Sequence, residues 1–132
     1  MTIKQQGGIF GRNPAFNEVS AKKIINQGVV DEDEVVISSG AISIDSSSVS
    51  VDTEASAASD DLDTINGGAL GQTLILRASN NARTVVVKDG TGNIELAGDF
   101  ELTQIRDCIF LLCIAVSGTF HWIEISRSDN RV

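Results

Sequence analysis

Short runs in which apolar and polar residues alternate follow one another from Val29 onward, and they constrain the fold more than any other feature of the sequence. In the clearest run, from Ile94 to Leu102, every second residue is apolar or glycine, and most residues between them are acidic. Because successive side chains of a strand point to opposite faces of a sheet, such a run predicts a half-buried strand. About eight runs of this kind, separated by turn residues, predict an all-β fold, namely a single β-sandwich of jelly-roll type.

The runs also predict where the chain turns. Early strands are expected at 35–37, 41–45, 48–53, 72–77 and 83–88. Residues 79–82 have the length and composition of a hairpin connection, and 89–93 are a second turn of suitable composition. The acidic segment 60–63 is expected to form one turn of helix.

The first 28 residues differ from the rest of the chain. Glycines and an Asn-Pro pair interrupt residues 1–14, so no regular element is expected there. Residues 16–27 follow a helical stripe, although their Val, Ile and Asn content leaves an extended segment open. We therefore expect an N-terminal arm with a short helix or extended segment at 1–28, and one β-sandwich domain at 29–132. The start of the chain lacks an apolar stretch, which predicts no secretory signal.

Charge is distributed unevenly along the chain, whose formal net charge is −8. Residues 1–27 contain four basic residues and one acid, whereas residues 28–63 contain ten acids and no base. Because an acidic surface repels phosphate backbones, nucleic acid is not expected as a partner. A basic arm ahead of an acidic body is complementary to a second copy of the chain, and the alternative is that both are solvated surfaces.

Few residues are suited to catalysis or metal binding, since the chain has one His, two Cys and no Tyr. The acidic runs 31–34 and 60–63 are interpreted as a solvated loop and a helix cap rather than as cation sites. The Gly-x-Gly segment within 89–93 precedes no helix, so a turn is favoured over a phosphate loop. His121 and Trp122 are interpreted as a half-buried residue and a core or interface anchor. The sequence thus predicts a protein that is not an enzyme and has no metal or cofactor.

Nine consecutive apolar residues extend from Cys108 to Val116. This run is too short to cross a membrane as a helix, and its lack of polar residues predicts a strand that is covered on both faces. It is expected to be either the central core strand or the seam of a trimer. Cys108 and Cys113 would point to opposite faces, about 16 Å apart, which predicts two free thiols.

Several stretches resemble known proteins. The segment GGIFGRNPAFN at 7–17 resembles the N-terminal peptide of small structural proteins of tailed bacteriophages and prophages. Residues 60–68, 71–78 and 83–100 are similar to a β-rich module of phage virion proteins. That module usually ends with an aromatic-containing strand, which WIEISR at 122–127 matches.

The resemblance implies a non-enzymatic virion protein of the capsid exterior that is made in the host cytoplasm. Because the chain is a leader plus one domain, we expect a capsid decoration (cement) protein that bridges capsomers of the major capsid protein and forms a homotrimer, without membrane or nucleic-acid partners. The expected partner contacts are Ile9, Phe10, Arg12, Phe16, Lys22 and Lys23. The alternatives are a short tail-fibre or head-fibre component for host attachment, and a non-viral β-sandwich that binds a small ligand.

Overall fold

The computed structural model describes residues 33–130, which form eleven β-strands and one short 3-10 turn, Glu54–Ser56. The strands are β1 (Asp33–Val36), β2 (Ala41–Ile44), β3 (Ser48–Asp52), β4 (Ser59–Leu62), β5 (Thr64–Gly67), β6 (Thr73–Ala78), β7 (Thr84–Val87), β8 (Ile94–Glu95), β9 (Phe100–Leu102), β10 (Cys108–Val116) and β11 (Thr119–Ser128). The prediction of an all-β fold is confirmed. The arm at 1–28 and the short helix predicted within it lie outside the described residues.

The first seven strands wind into a solenoid-like coil with three faces. Strands β1, β3 and β6 lie side by side and parallel on one face. Strands β2 and β5 pair in parallel on a second face, and β4 and β7 pair in parallel on a third. Each circuit of the coil therefore stacks its strands on those of the previous circuit, so that strands distant in sequence become neighbours.

This arrangement differs from the jelly-roll sandwich that the sequence predicted, because jelly rolls are built from antiparallel strands. Five of the eight strand pairs are parallel. The hairpin predicted at 79–82 is wrong: β6 pairs with β3 and β10, whereas β7 pairs with β4 and β9. Residues 79–82 form a corner between two faces of the coil, and 89–93 likewise connect β7 to a strand of another sheet.

Antiparallel strands complete the coil at its C-terminal end. β10 pairs with β6 and with β11, so the first face continues into the β10–β11 hairpin. Ser117 and Gly118 form the turn with positive φ angles of 49° and 83°, as a two-residue hairpin turn requires. β11 also pairs with β8, and Asn93, the residue before β8, bonds to Ile65 of β5. The hairpin therefore extends from β6 on the first face to the chain next to β5 and closes this end of the coil.

The core lies inside the coil, and all three faces contribute to it. The first face contributes Val49, Val51, Leu74, Leu76, Ala78, Ile109, Leu111 and Cys113. The other strands contribute Ile42, Ile44, Leu62, Ile65, Val85, Val87, Ile94, Phe100, Leu102 and Trp122. These residues occupy alternate positions of their strands, and the period-2 pattern of the sequence correctly identifies those of β2, β3 and the run 94–102.

Two predictions about local structure need correction. The run from Ile94 to Leu102 was expected to be one strand that bends near Gly98, but it forms two, β8 and β9. Gly98 between them has a φ of 110°, which interrupts the extended conformation. The helical turn expected at 60–63 is strand β4 instead. Its buried Leu62 packs in the core, and Asp60 accepts a hydrogen bond from Glu54 N–H at 2.7 Å.

The side chain of Asn93 takes the place of a neighbouring strand beside β5. Its Oδ1 accepts a hydrogen bond from Ile65 N–H at 2.9 Å, and its Nδ2 donates to Ile65 O at 2.8 Å. Replacing Asn93 by alanine would leave both backbone groups of Ile65 without these partners, so we expect the free energy of unfolding to fall by about 1–3 kcal/mol. Urea denaturation measures this loss. The exposed Asn66 provides the control, because Asn66→Ala is expected to change stability by less than about 0.5 kcal/mol.

Candidate assembly surfaces

The six residues that the sequence assigns to partner contacts cannot be placed, because they lie outside residues 33–130. They are Ile9, Phe10, Arg12, Phe16, Lys22 and Lys23. Within the described residues, two other surfaces are suited to binding another polypeptide. One is the N-terminal end of the coil, and the other is the outward side of the β6–β10–β11 sheet.

The N-terminal end of the coil, which we call the open end, presents the edges of three strands. β1 pairs with β3, β2 with β5 and, at Ala41 alone, with Ser38, and β4 on one side with β7. No strand among residues 33–130 pairs with the other edges of β1, β2 and β4. Unpaired strand edges are templates for a further strand. The open end is also the end at which the chain enters the coil at residue 33.

The part of the chain that builds the open end is strongly acidic. From 33 to 63 the sequence contains no Lys or Arg. Asp52 is neutralised from a later circuit by Arg83, whose Nη1 lies 2.7 Å from its carboxylate. In contrast, the side chains of Glu34, Asp45 and Asp61 are exposed to solvent. The open end therefore combines unpaired backbone groups with negative charge, which complements the basic residues of 1–27.

The second surface, which we call the outer face, is the outward side of β6, β10 and β11. Strand register places outward side chains in rows: Ile75 beside Phe110, then Leu112 beside Ile123, then Ile114 beside His121. Ile125 follows at a β-bulge and is 51% exposed, and Ile75 is 40% exposed. Cys108 to Val116 was expected to be covered on both faces, but among residues 33–130 only the inward side of β10 is fully buried, and its outward side is partly exposed.

A shallow cavity indents one end of the outer face. It has a volume of about 230 Å³, and its lining includes Ile75, Cys108 and Phe110 from β6 and β10, and Ser126 and Ser128 from β11. Cys108 is partly exposed, whereas Cys113 is buried on the opposite side of the same strand, and both are free thiols as the sequence predicts. Burial raises the pKa of the Cys113 thiol, so this residue is unreactive compared with an exposed cysteine.

The charged groups that border the outer face already have partners within the chain. His121 Nδ1 lies 2.8 Å from Glu95 Oε1. Arg77 Nη1 donates a hydrogen bond to Ile105 O at 2.7 Å. Covering the outer face would therefore leave both groups beside a polar atom of their own chain, as buried polar groups usually are.

Arg127 fastens β11 to the loop between β8 and β9. It donates two hydrogen bonds of 2.5 Å to the Glu124 carboxylate and one of 2.8 Å to Gly98 O. Its guanidinium also lies 4.9 Å from the centre of the Phe100 ring. The hydrogen bonds from Arg127 lower the pKa of Glu124, so the pair stays ionised around neutral pH. The strand that forms one side of the outer face is therefore held rigidly from behind.

The aromatic residues of β11 divide between the core and the surface. Trp122 is fully buried, and a Cβ at Gly68 would overlap its ring at 2.5 Å. Trp122 Nε1 has no hydrogen-bond partner among the described residues. The neighbouring Phe120, which shares the face of Trp122 in the sequence pattern, is 42% exposed near the hairpin turn. Trp122 is thus a core anchor, whereas Phe120 remains available for contact.

The described part of the chain lacks two other kinds of site, a metal site and a membrane-spanning helix. No three His, Cys, Asp or Glu residues between 33 and 130 converge in a way that would hold a metal ion. Over the same residues, no helix has the length and apolar character that crossing a membrane requires. No protein-family model, no curated protein and no solved structure matches this chain.

Proposed function

We propose that this chain is a non-enzymatic structural protein of a tailed-phage virion, namely a capsid decoration protein that bridges neighbouring capsomers of the major capsid protein. The open end is the observation that carries the proposal. It offers strand edges and negative charge at the place where the chain continues into residues 1–32, whose segment 7–17 resembles the N-terminal peptide of small structural proteins of tailed phages. A polypeptide that adds a strand to such an edge gains main-chain hydrogen bonds without needing a deep pocket.

The proposed mechanism is mechanical. The N-terminal arm lies along the major capsid protein or a sister subunit, and the coil bridges the junction between capsomers. Each contact is modest, but a closed shell repeats it many times, so the combined effect is large. Cross-linked capsomers require more work to separate, and the shell resists the pressure of packaged DNA better.

The test compares virions with and without this protein. Virions that lack it are expected to release their DNA at a lower temperature and on milder osmotic shock, and adding the purified full chain should restore both properties. Equal stability of the two kinds of particle would contradict the decoration role. A fluorescent dye that reports DNA release during heating measures the difference.

Charge variants of the full chain test the open end itself. Glu34→Lys reverses an exposed charge on β1 at the open end, and Glu101→Lys makes the same change on β9, far from it. We expect Glu34→Lys to slow binding to undecorated shells several-fold at low salt, since surface charge acts mainly on association rate. Glu101→Lys should bind like the unmodified protein. Equal effects of both variants would show that the open end is not the contact.

A fibre component for host attachment is the second candidate. The stacking of circuits in one direction favours it, because such a coil can join end to end with a further strand-rich segment. Copy number and location separate the two candidates. Hundreds of copies spread over the shell support decoration, whereas a few copies at the tail or at one vertex support a fibre.

A further inference from the structure

We infer that the outer face is a self-association surface, and that its occupant is the outer face of a second copy of this chain. The inference goes beyond the proposed function, because it rests on a different surface from the open end. It gives the two sides of β10 different roles: the inward side belongs to the core, and the outward side forms a contact between two copies, which is a two-fold contact rather than the trimer seam that the sequence left open.

The composition of β10 is the first argument. All nine residues from Cys108 to Val116 are apolar, yet only Ile109, Leu111 and Cys113 are buried. A strand of an exposed antiparallel sheet normally alternates apolar and polar residues, whereas a strand that is apolar throughout is normally covered on both sides. Residues 33–130 cover the outward side only in part, so the composition of β10 suits an environment that these residues do not supply.

Size is the second argument. With strands about 4.8 Å apart and a rise of about 3.3 Å per residue, β6, β10 and β11 together project an area of roughly 400 Å². A stable interface of standard size buries about 800 Å² on each partner, and weak contacts bury less. One outer face packed against another is therefore of the size of a weak contact that dissociates on dilution, and it resembles the packing of two sheets in a sandwich.

Charge identifies the occupant as a second copy. Two molecules that each have a net charge of −8 repel one another unless they meet where the acids are absent or neutralised. On the outer face the two rows of Ile75, Phe110, Leu112 and Ile123 contain no acid, and the acid at their border, Glu95, has its Oε1 2.8 Å from His121 Nδ1. The exposed acids of the open end belong to β1, β2 and β4, and of these only β1 lies in the same sheet, three strands from β10.

The cavity beside Phe110 gives the contact a specific feature. A buried apolar cavity of about 150 Å³ is sufficient to hold a benzene molecule. The cavity of the outer face, at about 230 Å³, can therefore receive one large apolar side chain of the facing copy. Phe110, Ile123 and Ile125 are side chains of that kind on the same surface.

The experiment measures the mass of the purified full chain by sedimentation over a range of concentrations. We expect an oligomer that dissociates on dilution. Leu112→Asp places a charge at the centre of the outer face and should raise the dissociation constant at least about 30-fold, as loss of an interface hot spot does. Val36→Asp is the matched control, since it introduces the same charge at an exposed outward position of β1 in the same sheet, and it should leave the dissociation constant unchanged.

Two further measurements keep the inference falsifiable if Leu112→Asp fails to fold. Ile75→Thr retains a β-branched residue suited to a strand and should weaken association about 5-fold. Alkylation of Cys108, which lines the cavity, should be slow in the oligomer and fast after dilution, while the buried Cys113 stays unreactive under both conditions.

The possible outcomes separate this inference from the proposed function. A monomer at every concentration overturns the inference. If Cys108 is also protected from alkylation in that monomer, residues outside 33–130 cover the outer face in place of a second copy. A monomer that still binds undecorated shells overturns only the inference. An oligomer that is sensitive to Leu112→Asp but has no affinity for shells supports the inference and overturns the decoration role.

Discussion

Replacing Gly92 by alanine is expected to lower the free energy of unfolding by about 2–4 kcal/mol, although it adds only one methyl group. A Cβ at this position would lie closer than 3.0 Å to Asp63 O and to Thr64 Oγ1, at the corner between β4 and β5. That corner has little freedom to move, because the N–H groups of Asp63 and Thr64 both donate to Gly40 O, at 2.7 and 3.1 Å. Three corners of the coil are thus stacked in direct backbone contact.

Gly90→Ala is the control for this prediction. Gly90 lies two residues away in the same turn, has a φ of 71°, and has open space around its Cα. Alanine there encounters only the cost of a left-handed backbone conformation, about 1–2 kcal/mol. Urea denaturation of both variants compares the loss of stability caused by steric overlap at residue 92 with the loss caused by a left-handed backbone at residue 90. If Gly92→Ala is as stable as Gly90→Ala or more stable, the corners are not packed as described.

Replacing Asp107 by alanine is expected to have an effect of about 3–5 kcal/mol, because a buried hydrogen-bonding group would be lost from a full network. Asp107 has no exposed surface. Its Oδ2 accepts hydrogen bonds from Thr103 N–H, Thr103 Oγ1 and Gln104 N–H, and its Oδ1 accepts one from Asn130 N–H, all between 2.9 and 3.0 Å. The carboxylate therefore joins the turn before β10 to the segment that follows β11. Asp45→Ala removes an exposed carboxylate and should change stability by less than about 0.5 kcal/mol.

The contribution of Asp107 should also depend on pH. Burial by itself raises the pKa of this carboxyl, but the hydrogen bonds from Asn130, Thr103 and Gln104 outweigh burial, so the pKa in the folded protein lies below the ordinary value of 3.8. The unfolded chain thus binds a proton more readily than the folded one. The stabilisation is complete above the ordinary pKa and disappears as pH falls through the folded pKa. The stability difference between the unmodified protein and Asp107→Ala should therefore be constant near neutral pH and shrink in strong acid. A difference that grows with acid would contradict the assignment.

The sequence predicts which residues are buried better than it predicts which strands are neighbours. The period-2 pattern correctly identifies the inward positions of β2 and β3, because alternation is a local property of each strand. It is insensitive to whether the chain folds back or turns a corner after a strand. Residues 79–82 suit both connections, and the choice depends on β3 and β10, the strands that pair with β6. The jelly-roll prediction failed at this point.

The sequence contained a clear signal for one candidate surface, the outer face, but only a weak signal for the open end. The unbroken apolar run from Cys108 to Val116 indicated a second covered face, and the outer face is its structural counterpart. The open end had only its negative charge as a signal, since unpaired strand edges arise from the stacking of β1, β2 and β4 and leave no motif. The role of Asn93 was equally hidden, because a side chain that pairs with a strand backbone is recognisable only when the facing Ile65 is known.

The closing hairpin gives the molecule a direction of growth. Beyond the hairpin, the strand edges at that end belong to β5, β8 and β9. Asn93 binds the backbone of Ile65 in β5, and β8 and β9 are two and three residues long, so these edges are poor templates for another chain. A coil with long templates at both ends would polymerise head to tail into filaments. With one end terminated, strand addition to this coil is confined to the open end, so stacking through strand edges does not propagate from one molecule to the next.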